Sequence, residues 1–172
     1  ENQDRLKNTI GLKNSDFILF YAAELNENKN QNLLIESVKV LKGRGIDIKL
    51  LLAGKGPLLN KYKEKVKNLD LENNIYFLGY REDVPKISDI AVASSKREGL
   101  PVNIIEAMAA GLPIVVTNCR GHRDLIINNE NGFVVEIDDV QGYVEAIEIL
   151  YRSKKLREKF GEINLKKAQL YS

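Results

Sequence analysis

Six short apolar runs alternate along this chain with longer stretches whose apolar residues recur every third or fourth position, and that alternation leaves few folds open. The runs are FILFYAA (17–23), IKLLLA (48–53), IYFLG (75–79), IAVAS (90–94), IVVT (114–117) and GFVVE (132–136). Between and after them, 30–42, 58–69, 101–110 and 138–151 carry the helical period. In the second of these, Leu58, Leu59, Tyr62, Val66 and Leu69 share one stripe, while Lys61, Lys63, Lys65 and Lys67 avoid it. Strands that are apolar throughout must be buried on both faces. The expectation is therefore an α/β fold of three layers, a Rossmann-like parallel sheet of about six strands with helices on each side. Ligands of such sheets bind beyond the carboxyl ends of the strands.

At 172 residues the chain can bury one substantial core, so it reads as a single domain over 1–172. The stretch 1–16 reads as a connector from something preceding it. The chain begins at Glu1 without a methionine and stops at Ser172 inside an amphipathic pattern, which suggests a piece of a longer protein. No apolar run approaches the roughly 20 residues needed to span a bilayer. The 26 basic and 24 acidic side chains nearly cancel, giving no field that argues for nucleic acid. Basic clusters at 61–67 and 152–159 read first as solvated helix faces and second as peripheral contacts with an anionic membrane. Cys119 is the only cysteine, so no internal disulfide can form and a cytoplasmic setting is expected.

The most informative stretch is EGLPVNIIEAMAAGLPIVVT (98–117). It places Glu98 and Glu106 on either side of a Gly-Leu-Pro turn that opens a helix. The spacing alone means nothing, because Glu64, on a lysine-rich helix face, and Glu72 repeat it. Context separates the two pairs: Glu98 follows a strand, and Glu106 lies just inside the next helix. Gly99 permits close backbone approach, and Pro101 suits a first turn because it has no N–H to waste. Val102 and Asn103 can then present N–H groups to an anion. The plain alternative is that Glu98 merely caps and Glu106 is an ordinary helix carboxylate.

This stretch resembles the signature of the retaining, nucleotide-sugar-dependent glycosyltransferases of family 4, also called group 1, in the carboxyl-terminal domain of their GT-B fold. Lys29 in NENKNQ, the turn AGKGP (53–57), FLGYREDV (77–84), SDIAVASS (88–95) and NGFVV (131–135) follow in the same family's order. The resemblance implies that Glu106 accepts hydrogen bonds from the ribose hydroxyls and that Glu98 contacts the donor sugar, with Gly99 and Leu100 close to it. It places the Val102 and Asn103 backbones at the diphosphate. Lys29 would neutralise the phosphates and stabilise the leaving group, which makes Lys29 and Glu98 the candidate catalytic residues. Gly54 in the glycine turn, and Gly79, Tyr80 and Arg81, fall where the family holds the nucleotide and its base. One departure stands out: the family usually has an arginine five residues before the lysine, and this chain has Glu24.

Other signals are weaker. Gly54 and Gly56 are followed by Leu59, so the third glycine of a dinucleotide fingerprint is missing. His122, the single histidine, reads either as a solvated loop residue or, on the resemblance, as a neighbour of the donor; Asp124 reads as a loop-ordering contact. With one His and one Cys, neither a zinc site nor another cofactor is expected.

The resemblance implies the donor half of a two-domain enzyme that moves a sugar from a nucleoside-diphosphate sugar to an acceptor hydroxyl, with retention and without a metal. The acceptor, a sugar or a lipid-linked glycan, would sit on an amino-terminal domain missing here, and polysaccharide or glycoconjugate synthesis is the expected setting. Localisation is expected to be cytoplasmic, peripheral to the inner face of the membrane at most. The alternatives are a sugar-nucleotide epimerase of the same architecture and a non-catalytic nucleotide-sugar-binding module.

Overall fold

Three successive leucines, Leu50, Leu51 and Leu52, are wholly inaccessible to solvent. Neighbouring strand residues point to opposite faces, so only a sheet covered on both sides can bury all three. The computed structural model, which describes residues 2–171, shows how this is done. Its strands are β1 (Phe17–Ala22), β2 (Ile48–Ala53), β3 (Ile75–Gly79), β4 (Ile90–Ala93), β5 (Ile114–Thr117) and β6 (Gly132–Val135). All pair in parallel, in the spatial order β3-β2-β1-β4-β5-β6. The helices are α1 (Asn2–Ile10), α2 (Gln31–Gly43), α3 (Leu59–Asn68), α4 (Val102–Ala109), α5 (Arg120–Arg123), α6 (Val140–Arg152) and α7 (Lys154–Ala168). Short 3-10 turns occupy Val84–Ile87 and Gln169–Tyr171.

Every expected strand is present, as are the four expected helices, with ends that differ by a residue or two. The stretch read as a connector is helical over Asn2–Ile10, and its Leu6 and Ile10 pack against the core. The residues at its start and at the far end of the chain, Glu1 and Ser172, lie outside the described structure. Helix α7 crosses the end of α4 so closely that a Cβ on Gly161 would sit 2.2 Å from the Gly111 carbonyl oxygen. The buried amides of Asn131 and Asn164 bond to each other at 2.8 Å and to the Leu125, Leu112 and Asn131 carbonyls, which fixes α7 without stranding a polar group.

The sheet reverses its strand order between β1 and β4, which makes their carboxyl ends the expected ligand crevice. Their pairing is short: Leu19 faces Ile90, Phe20 faces Ala91, and the register ends there. On the other side of β4 a side chain enters the ladder. The Tyr143 hydroxyl, fully buried on α6, accepts the Ala93 N–H at 3.0 Å and donates to the Val115 carbonyl at 2.7 Å, with the Ala93 carbonyl 3.0 Å away. Burial pushes its phenol far above the ordinary tyrosine range, so it remains a donor.

Tyr143→Phe should therefore leave a buried N–H and a buried carbonyl unpaired at a cost of about 1 to 3 kcal/mol. Equilibrium urea unfolding checks this, and an unchanged midpoint would show that the hydroxyl carries no weight.

Candidate functional site

The crevice between β1 and β4 is closed at its floor by a hydrogen-bonded series of side chains. Tyr21 at the end of β1 and Ser95 just past β4 meet at 2.7 Å. Ser95 donates its hydrogen to Glu98 Oε2 at 2.6 Å, so Tyr21 supplies the hydrogen between the two hydroxyls. Burial raises the Tyr21 phenol well above its usual range and keeps that hydrogen in place. The same Glu98 oxygen receives the Lys29 ammonium at 2.5 Å. This ion pair is partly shielded, with 25% of the Lys29 side chain and 10% of the Glu98 side chain exposed.

The loops that carry Lys29 and Glu98 are sewn to each other. Asn28 donates to the Arg97 carbonyl and accepts the Arg97 N–H, both at 3.1 Å, and its own carbonyl accepts the Lys96 N–H at 2.9 Å. Asn26 accepts the Lys29 N–H at 2.8 Å, and Ser94 donates to the Lys29 carbonyl at 2.7 Å. Asn30, in the left-handed region with φ of 55°, donates to Asp138 at 2.9 Å. Sequence reasoning saw Lys29 and Glu98 but none of these supports. The alternating asparagines of LNENKN were the available signal, since short amide side chains bond readily to nearby backbone.

The other candidates lie around this pair. Gly54 holds φ of 147°, and a Cβ there would lie 2.1 Å from the Ala23 carbonyl oxygen. The glycine turn is thus first a packing device between the β1–α2 and β2–α3 loops. Beside it, a cavity of about 360 Å³ is lined by Glu24, Gly54, Tyr80 and Arg81 among others. Tyr80 is 79% exposed, and Gly79 turns the chain with φ of 67°. The Arg81 guanidinium forks onto Asp83 at 3.1 and 2.9 Å, so its charge is already engaged. Glu24 is exposed and accepts a hydrogen bond from Asn26 at 2.8 Å.

Helix α4 starts after Pro101 without a side-chain cap, and its Val102 N–H turns back onto the Leu100 carbonyl at 3.0 Å. Asn103 is half-buried and Glu106 exposed on this helix; no side-chain bond to a described residue joins Glu106 to Lys29 or Glu98. Gly99 and Leu100 are exposed. Asp124 is exposed and its carboxylate makes no hydrogen bond or ion pair among the described residues; the loop around it is ordered by Asn131 and by the Arg123–Asn118 bond instead.

His122 is not a solvated loop residue: it is fully buried at the end of β5. The turn from Thr117 into α5 folds inward because Gly121 packs against the Glu98–Gly99 backbone. A Cβ at Gly121 would meet the Gly99 carbonyl oxygen at 2.4 Å. Burial pushes the His122 ring below the ordinary histidine range, while the Thr117 carbonyl and Glu98 pull it upward. The neighbouring Cys119 thiol is likewise raised by burial. Among the described residues no cluster of His, Cys, Asp and Glu could hold a metal ion, and no helix is long and apolar enough to cross a membrane.

Residues 2–167 match the profile of the family described as glycosyl transferases group 1. EpsD of Bacillus subtilis, a protein named provisionally as a glycosyltransferase, is 39% identical over 99% of this chain and 45% of its own length. The UDP-Gal:alpha-D-GlcNAc-diphosphoundecaprenol alpha-1,3-galactosyltransferase of Escherichia coli is 32% identical over 85% of this chain and 40% of its own. The chain thus spans less than half the length of these relatives. Among solved structures, HepE of Anabaena in complex with UDP and glucose superposes with a TM-score of 0.90 at 21% identity, covering 98% of this chain and 47% of that one. A glycosyltransferase of Rickettsia africae gives 0.89 at 24%, with 98% and 47% covered. The fold is that of one half of such GT-B proteins.

Because the buried His122 ring is harder to protonate than an unfolded one, the unfolded state takes up the proton first as the pH falls. Stability from this group is complete above the ordinary histidine value, about 6.5, and declines below it toward the lower folded value. The wild-type melting temperature should thus drop more than that of His122→Gln between about pH 7 and pH 5. Parallel drops in the two proteins would refute the assignment.

Proposed function

The chain belongs to the group 1 glycosyl transferases, and we propose that it is the donor-binding domain of a retaining, metal-independent enzyme that transfers a sugar from a nucleoside-diphosphate sugar to an acceptor hydroxyl. The observation that supports this best is the Lys29–Glu98 pair at the point where the strand order reverses, held from below by Ser95 and Tyr21. Without ligand the two charges satisfy each other. A diphosphate in the crevice competes for the Lys29 ammonium, and Glu98, released, becomes an acceptor for the hydroxyls of the sugar. Each charge then exchanges the other for a partner on the donor. As the glycosidic bond to phosphate breaks, Lys29 offsets the charge that collects on the leaving nucleoside diphosphate.

The remaining roles are those that the family resemblance implies. Glu106, exposed and unengaged, takes the ribose hydroxyls; Val102 and Asn103 present the α4 amino end to the diphosphate once the Val102–Leu100 bond opens. The cavity beside Gly54, Gly79, Tyr80 and Arg81 is the place for the base. Tyr80, Leu100 and Val102 are 79%, 69% and 55% exposed, and all three lie on the carboxyl edge of the sheet. The exposure of these three side chains at that rim fits a face that receives a ligand and the second half of a two-domain enzyme. Polysaccharide or glycoconjugate synthesis is the setting that the named relatives favour, since one is a capsular polysaccharide biosynthesis glycosyltransferase of Staphylococcus aureus. The epimerase alternative gains no support from them.

Two substitutions test this reading. Hydrogen bonds from ribose to a carboxylate contribute about 1.5 to 3 kcal/mol each, so Glu106→Ala should weaken UDP, GDP or ADP binding by at least about tenfold, whichever base is preferred. Calorimetric titration decides it, and an unchanged affinity sinks the ribose assignment. Glu24→Arg should leave the fold unaltered and tighten nucleoside-diphosphate binding, since it replaces an exposed carboxylate on the cavity wall with a cation. Weaker or equal binding would mean that Glu24 does not face the phosphates.

A further inference from the structure

Among the described residues, two buried side-chain atoms lack any hydrogen-bond partner: Gln31 Oε1 and His122 Nε2. The second lies where the donor site is proposed, and its chemistry can be read. His122 Nδ1 is 2.9 Å from the Thr117 carbonyl oxygen, which can only accept, so Nδ1 carries the hydrogen. The Thr117 hydroxyl, 3.3 Å from the same nitrogen, spends its own hydrogen on the Ser95 carbonyl at 2.6 Å. The ring is neutral, and Nε2 is left as a bare lone pair that can only accept. Burying an acceptor without a partner is costly, and packing alone does not account for it.

Resting on the donor-domain reading above, we propose that His122 Nε2 accepts a hydrogen bond from one hydroxyl of the transferred sugar and thereby helps this domain select its donor. The position fits. Gly121, one residue earlier, packs directly beneath the Glu98 and Gly99 carbonyls, and the charges of both Glu98 and Lys29 act on the ring. The chemistry of the donor fits as well. A diphosphate has no hydrogen to give near neutral pH, and the base falls at the other end of the crevice, beside Gly79 and Tyr80. Sugar hydroxyls are the donors left at this end. The Glu98 carboxylate is held by Lys29 and by Ser95, so a diphosphate that draws Lys29 away removes one of the two contacts on the segment that packs against Gly121.

The test compares nucleoside diphosphates with nucleotide sugars on the same protein, using UDP, UDP-glucose, UDP-galactose and UDP-N-acetylglucosamine, and GDP with GDP-mannose. His122→Leu should leave the dissociation constant of the bare nucleotide within about twofold, raise that of the preferred nucleotide sugar about tenfold, and flatten the discrimination among sugars. His122→Asn and His122→Gln, which restore an acceptor, should recover part of the discrimination. His122→Phe fills the ring's space without an acceptor and takes the place of the leucine variant if that one does not fold. Full sugar selectivity in the leucine or phenylalanine variant overturns the proposal, and so does an equal loss for nucleotide and nucleotide sugar. If the wild type binds none of these ligands, the donor-domain reading falls and this proposal with it. If the nucleotides bind and only the His122 effect is missing, the donor-domain reading stands alone.

Discussion

Beyond the Phe20–Ala91 pair, β1 and β4 no longer share a ladder, and the polar groups exposed by that gap have to be satisfied by something else. Tyr21 and Ser95 meet across it, Ser94 reaches the Lys29 carbonyl, and Thr117 ties β5 to Ser95 from the other side. Below them the Tyr143 hydroxyl takes the Ala93 N–H that a regular β4–β5 ladder would have used. Because these partners are fixed by the strands, the loops that leave β1 and β4 start from fixed points. Lys29 and Glu98 come together as a result of that floor, and their ion pair is its uppermost member.

The ion pair is not what holds the backbone of these loops; the asparagine clips and Ser94 do that. That division matters for function. An interaction that stabilised the fold strongly would resist being exchanged for a ligand. Here the backbone of the Lys29 loop is secured by Asn26, Asn28 and Ser94, while the lysine side chain has a single short contact to surrender. The geometry therefore separates the part of the site that must stay from the part that must move.

The fold was legible in the sequence because burial leaves a periodic mark. Leu50 to Leu52 could not sit on a half-exposed strand, and the stripe through Tyr62 and Val66 could only be a helix face. Glu106 stands apart, exposed on α4, while the meeting of Lys29 and Glu98 was legible through local context and family resemblance. What supports them was not, since Tyr21 finds Ser95 across 74 positions and Tyr143 finds Ala93 across 50, and no local pattern announces such pairings. The solvated-loop alternative for His122 fails for a related reason. A polar loop sequence such as CRGHRDL reads as solvated, and the inward turn depends on Gly121 fitting under a backbone that lies far away in sequence.

On the proposed function, the charges of the unliganded crevice also bear on how tightly a donor can bind. Lys29 is already neutralised by Glu98, Arg81 by Asp83, and Glu24 contributes a negative charge to the cavity wall. Both cations among the candidate site residues are thus already paired. The binding of a diphosphate has to draw on the α4 amino end and on the exchange of Lys29 from carboxylate to phosphate, in which one ion pair is lost for each one formed. The net gain then comes from what Glu98 does after release. On that reading a bare nucleoside diphosphate leaves the carboxylate with Ser95 alone, whereas a nucleotide sugar would add hydroxyls for it to accept from, so that the sugar, rather than the phosphates alone, would make the exchange favourable and place donor selection in the same step as donor binding.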